Sequence, residues 1–322
     1  MEFNDIISKY RTGIMGFAMM AIMLGHQPFF FESHFVGFFH IYGSWGVDLF
    51  LFVSGFGITH SLRKNSVKQF YKNRANRLIP TCVFVGLAKY ILKLCGFEEF
   101  TSDNFILFVT NIYLWYIYAI IVYYIVSPLL YKLLHRYGLY AVISICLVSL
   151  LCSYIPFHLS PYYLINHIGW LTARLPIYVL GMYVVMHPIR IKLKYIILGG
   201  LAICALAAFL KLTTIMIRFK WDIKYLNLLV MLSTPMLCLL ACKLTHYFKI
   251  LELGSIVDYF GKYSLELYLW HEFIFWNLLK NENTASLNLP LMATIALLLS
   301  LVSAYITKII VDKVFQPVFL CK

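Results

Sequence analysis

An all-α, polytopic membrane fold with about ten transmembrane helices is predicted for this chain by three observations. Mean hydropathy is +0.79. Hydrophobic residues make up 61% of the chain against 13% charged, whereas soluble domains carry roughly a quarter charged residues. Apolar stretches recur at the length of about 20 residues that a bilayer-spanning helix needs. The net charge of +13 raises nucleic acid as a partner, but the basic residues fall in short clusters between apolar runs and not along one soluble face. They read as topology signals, so the expected partner is the lipid bilayer and no nucleic acid. No stretch is long enough for a separate soluble domain, and no internal repeat or low-complexity segment is present. Residues 1–322 are expected to form a single membrane domain.

The first segment, 9–31, has the basic start and apolar core of a secretory signal but no small-residue cleavage site, so it is assigned as the first helix. Pro28 kinks or ends it. The second, 43–62, opens with GSWGVDLFLFVSGF. A basic connection then carries Arg63, Lys64, Lys68, Lys72, Arg74 and Arg77, and Pro80 is read as marking the start of the third segment, 78–95. The fourth and fifth, 104–131 and 138–155, are separated by Lys132 and Arg136. The sixth, 164–186, contains ARLPIYVLG. The seventh and eighth, 193–212 and 224–245, are followed by a ninth, 256–279, with GKYSLELYLWHEF, and a tenth, 289–311.

Cytoplasmic loops carry the excess of Lys and Arg. The connection after segment two is basic, whereas 96–103 holds Glu98, Glu99 and Asp103. Both termini are therefore expected in the cytoplasm, with Arg190, Lys192, Lys194, Lys308 and Lys313 in agreement. Lys211, Arg218, Lys220 and Lys224 break the pattern, through either a miscounted helix or an anionic ligand on the outside. The eight cysteines lie mostly in apolar segments without metal-ligand or disulfide spacing, and read as small core residues.

His26 is the most informative residue, because an ionisable group at membrane depth is a functional-site hypothesis by default. It lies 15 residues beyond Arg11, about 22 Å along a helix. An antiparallel hairpin would bring Asp48 to a similar depth, where a carboxylate would fix the imidazole tautomer and raise its basicity for general base work. Arg74 and Arg77, three residues apart, share one helix face and suit a phosphate-bearing ligand, although any cytoplasmic loop contains arginines. Arg174 costs about 2.5–3.5 kcal/mol in hydrocarbon and must face a partner or a polar cavity. Glu266 and His271 diverge by more than about 100° on an ideal helix and need not share a partner; Glu272 lies beside His271. Glu32, His34 and His40 match no metal template and are read as interfacial, so no metal site is expected. Ser54 is a possible acyl carrier, though Ser-Gly-Phe within a helix more simply supports close packing.

The first-helix histidine, GVDLFLFVSGF, FYKNRANRLIP, LWYIYAIIVYYIVSPLL, RLPIYVLG and GKYSLELYLWH, in this order and spacing, resemble the acyltransferase-3 family of integral membrane acyltransferases. The resemblance covers essentially the whole chain. It implies transfer of an acyl group, usually acetyl from acetyl-CoA, to a hydroxyl of an extracytoplasmic carbohydrate at the plasma membrane. The family's histidine maps onto His26, and its paired arginines map onto Arg74 and Arg77, which would hold the coenzyme A phosphates. The family's usual basic residue eleven positions before the histidine is Met15 here, with Arg11 one turn earlier as a substitute. Many relatives add a soluble esterase-like domain; the chain ends at Lys322, implying a one-domain transferase with a separate glycan-assembly partner. Arg174 is the candidate for stabilising the oxyanion, the contribution that is commonly largest, with Glu266 and His271 as further substrate or oxyanion candidates. The main rival is a transporter of a small anion or saccharide, against which stands the lack of paired Gly/Pro-broken helices.

Overall fold

A computed structural model describes residues 3–26, 37–97, 114–154, 163–188, 198–199, 201, 233–279 and 289–315. Every described element is helical: α1 (Phe3–Gly25), α2 (Gly37–Lys64), α3 (Val67–Leu94), α4 (Trp115–Tyr137), α5 (Leu139–Tyr154), α6 (Tyr163–Met186), α7 (Thr234–Ile250), α8 (Gly254–Lys262), α9 (Ser264–Leu279) and α10 (Leu289–Ile310), which runs into a π-helical turn, Val311–Phe315. Among the described residues, Trp45–Lys64, Trp115–Tyr137 and Leu291–Val314 are long and apolar enough to cross a membrane. Ile125 and Leu129 on α4 and Leu298, Leu299 and Val302 on α10 are exposed. Bands of outward aliphatic side chains are what a bilayer covers and what a soluble protein of this size hides.

The first helix is the hub, with α2, α7, α8 and α9 packed on it. The α1–α2 hairpin is antiparallel, since Gly43 lies beside Gly25, Gly46 beside Ala18 and Gly57 beside Arg11. In contrast, α2 and α6 run parallel: Asp48 meets Arg174 near the start of the contact, and the Thr59 hydroxyl donates to the Met182 carbonyl further along. Gly55 and Gly181 sit in this contact against the carbonyls of Tyr178 and Phe52, and a Cβ at either would overlap the opposing backbone. Small residues that let two backbones touch are the usual means of joining helices in lipid, where apolar side chains gain little from meeting one another.

Two expectations are corrected. Pro80 does not begin the third helix; α3 starts at Val67, capped by the Ser66 hydroxyl, which accepts from the Gln69 amide, and Pro80 lies inside it. Proline leaves the Asn76 carbonyl without its intrahelical donor, and the Thr81 hydroxyl supplies an extra donor to the neighbouring Arg77 carbonyl at 3.2 Å. At 28 residues, α3 is about 42 Å long and carries Lys68, Lys72, Arg74 and Arg77 in its first turns. The ninth segment is not one helix either: α8 closes at Tyr263 and α9 starts at Ser264. No proline marks this corner. Gly261, a weak helix former, is seated on the Thr12 carbonyl, and Tyr263 packs between Tyr259 and Tyr305. The eighth helix runs antiparallel to α1, with Val257 near Gly16 and Gly261 near Thr12; α9 then turns back toward the His26 end.

The α1 helix ends at Gly25, in keeping with the break expected near Pro28, and α7 continues to Ile250, past the expected end of segment eight. Nearly all of segment seven, residues 104–113 of segment four, the basic stretch 211–224, Glu32 and His34 lie outside the described residues, as does the side chain of His40.

Candidate functional site

Five helices converge on one cavity: Arg11 and Met15 from α1, Phe50 and Ser54 from α2, Arg74 and Arg77 from α3, Tyr116 and Tyr124 from α4, and Ser264, Leu265 and Tyr268 from α9. Three guanidiniums line it, and no carboxylate is among its lining residues. The Arg74 guanidinium is held over the rings of Phe70 and Tyr124, at 5.6 and 5.7 Å, a geometry in which the π faces attract the cation. The Nε donors of Arg11 and Arg74 are buried with no hydrogen-bond partner among the described residues. Like charges gathered around unfilled donors make an anion site, and guanidinium forks match phosphate oxygens. Arg11 thus joins Arg74 and Arg77, and Met15, the position where the family resemblance places a basic residue, lines the same cavity one turn further along α1.

Gly57 makes room for Arg11. A Cβ at position 57 would lie 2.8 Å from Arg11 Nη2, the far end of a flexible side chain that can swing away. Gly57→Ala is therefore expected to change thermal stability by no more than about 1 kcal/mol, the size of the helix-propensity difference between glycine and alanine, while weakening anion binding through loss of Arg11. Thermal unfolding together with titration of a polyphosphate ligand checks both halves.

From the cavity a line of aromatic rings leads toward His26. Tyr116, which hydrogen-bonds Ser54, is 4.9 Å from Tyr268 between ring centroids. Tyr268 is 5.6 Å from His271, and His271 is 5.0 Å from His26 in a T-shaped contact. The His26 imidazole is anchored by Nδ1 to the Ile22 carbonyl at 2.8 Å. A carbonyl oxygen only accepts, so in the neutral ring the proton sits on Nδ1 and the Nε2 lone pair is left for a base. His271 repeats the device, with Nδ1 donating to the carbonyls of Leu267 and Tyr268. His26 is exposed and His271 is buried.

Asp48 is placed elsewhere than expected. It forms a buried ion pair with Arg174, and the Arg174 guanidinium also lies over the Trp115 ring. The tautomer of His26 is set by a carbonyl of its own helix, because Asp48 faces α6 and α4. Arg174 is engaged in the same pair, which answers the need for a partner in hydrocarbon. Glu266 faces α10, where Lys308 lies 3.9 Å away and also bonds Asp312 at 3.1 Å. The divergence of Glu266 and His271 therefore holds: one meets a lysine, the other an imidazole.

Sequence reasoning missed Lys89. It is 1% exposed, its ammonium lies over the Phe273 ring at 5.7 Å, and it acts electrostatically on His271. The signal was a lysine within VGLAKYILKL, inside the third segment, where an apolar residue is the default.

No curated protein and no solved structure matches the chain. Residues 13–309 match the family described as an acyltransferase domain, a span that takes in His26, Arg74, Arg77 and His271. With a family match across nearly the whole chain and helices apolar enough to cross a bilayer, the protein belongs to the acyltransferase-3 family and is a membrane acyltransferase.

Proposed function

We propose that the protein moves an acetyl group from acetyl-CoA to a hydroxyl of a cell-surface or cell-wall carbohydrate, with the donor bound from the cytoplasm and the acceptor reaching His26 from outside. The carrying observation is the cavity with three guanidiniums and no carboxylate, joined by Tyr268 to an imidazole pair. Arg11, Arg74 and Arg77 fit the phosphates of coenzyme A. His26 Nε2 takes the proton of the acceptor hydroxyl as its oxygen attacks the thioester carbonyl; the carbon–sulfur bond breaks, and the imidazolium returns the proton to the leaving thiolate. Both termini are placed in the cytoplasm, the membrane is the plasma membrane, and a separate glycan-assembly partner presents the acceptor.

Titration of the detergent-purified protein with coenzyme A tests the donor site. Saturable binding is expected, weakened by about tenfold or more for Arg74→Ala and again for Arg77→Ala, the size of a lost charge-assisted hydrogen bond. Release of coenzyme A from acetyl-CoA in the presence of sugar acceptors tests the transfer. Absence of both binding and release would overturn the assignment.

A further inference from the structure

His271 offers a lone pair that no donor among the described residues fills. Its Nδ1–H is committed to the carbonyls of Leu267 and Tyr268 at 3.0 and 2.9 Å, so Nε2 is the acceptor in the neutral ring. The residue is 1% exposed, and Nε2 has no hydrogen-bond partner among the described residues. His26, 5.0 Å away between ring centroids, is in the same tautomer for the same reason. In their neutral forms the two imidazoles stand side by side with both Nε2 atoms as acceptors. Neither can serve the other, because neither carries a proton there. A buried acceptor without a donor costs about 1–3 kcal/mol, so a site that keeps one beside a catalytic base is built for a ligand that donates.

We propose that His271 determines acceptor specificity by accepting a hydrogen bond from a second hydroxyl, adjacent to the one that His26 deprotonates, so that the preferred acceptor carries a vicinal pair of hydroxyls. This rests on the acyl-transfer reading above. One hydroxyl has one proton and satisfies one lone pair; two lone pairs on adjacent rings call for two donors on one molecule. The reacting hydroxyl gives its proton to His26 and takes the acyl group. Its neighbour only donates to His271 and is unchanged. The rings of Tyr268 and Phe275, 5.6 and 5.9 Å from His271, wall the position with apolar surface, and an acceptor lacking the second donor leaves Nε2 desolvated and unpaired.

The test measures His26-dependent release of coenzyme A from acetyl-CoA with three probes, a cyclic 1,2-diol, its mono-O-methyl ether and the corresponding mono-alcohol, in the wild type, His271→Phe and His271→Gln. The wild type is expected to prefer the diol by about tenfold or more in kcat/KM. His271→Phe should lose that preference, and His271→Gln, which keeps an oxygen acceptor, should retain most of it. A ratio between probes within one enzyme is insensitive to partial unfolding, so a damaged variant still reports. Equal use of the diol and its ether by the wild type, or an unchanged preference in His271→Phe, would overturn the role of His271 and leave acyl transfer standing. No release with any probe, together with no coenzyme A binding, would overturn acyl transfer itself.

Discussion

His26→Ala is expected to slow acyl transfer by about 10²–10⁴-fold in kcat, the range general base catalysis contributes, with the affinity for coenzyme A unchanged. The split follows from the distances. Arg11 and His26 are on the same helix, 15 residues apart and so about 22 Å apart, and the guanidinium cavity is linked to the imidazole through Tyr268 and His271. Removing an exposed imidazole at the end of α1 leaves the arginine cluster untouched. Single-turnover transfer measured beside coenzyme A titration checks both parts. A variant that binds and turns over like the wild type would place the base elsewhere. Equal losses in kcat and in donor binding would mean that the end of α1 shapes the whole site. His26→Gln, which keeps a polar group near Nε2 but cannot take up a proton, should be as slow as the alanine variant.

Much of this site was legible because membrane sequences make polar residues conspicuous. The sharing of a helix face by Arg74 and Arg77 and the parting of Glu266 from His271 follow from 3.6 residues per turn, and the structure keeps both. What was not legible depends on tertiary partners. Asp48 is near His26 in a one-dimensional picture of a hairpin, but side chains on a helix have a direction, and Asp48 points to α6, where Arg174 waits. The reach of Arg11 into the cavity depends on Gly57, 46 residues away in the chain. Pro80 reads as a boundary in the sequence, yet a proline inside a long helix is tolerated where the surroundings take up the freed backbone, and here the Thr81 hydroxyl donates to the Arg77 carbonyl, next to the freed one. The corner at Tyr263 carries no proline and was invisible within a continuous apolar run, yet it lets α9 turn back and bring His271 beside His26. Lys89 was readable by the same rule that singled out His26 and was passed over.

The second large effect concerns stability. Asp48→Ala should destabilise the fold by about 3–5 kcal/mol, the cost of leaving one member of a buried ion pair uncompensated. Asp48 and Arg174 are 2% and 4% exposed, and their contact ties α2 to α6, with Trp115 of α4 covering the guanidinium. Arg174→Met alone strands the carboxylate and should cost a similar amount. The double variant Asp48→Leu, Arg174→Met removes both charges while keeping volume, and such replacements are often neutral or stabilising. Recovery of the thermal midpoint in the double variant, measured in detergent against both single variants, is the expected pattern. The same series separates a structural pair from a chemical one. If the double variant is as stable as the wild type and still transfers acyl groups, the pair is a clip between helices. If it folds and is inactive, with coenzyme A binding intact, Asp48 or Arg174 acts in the chemistry in spite of facing its partner in the structure.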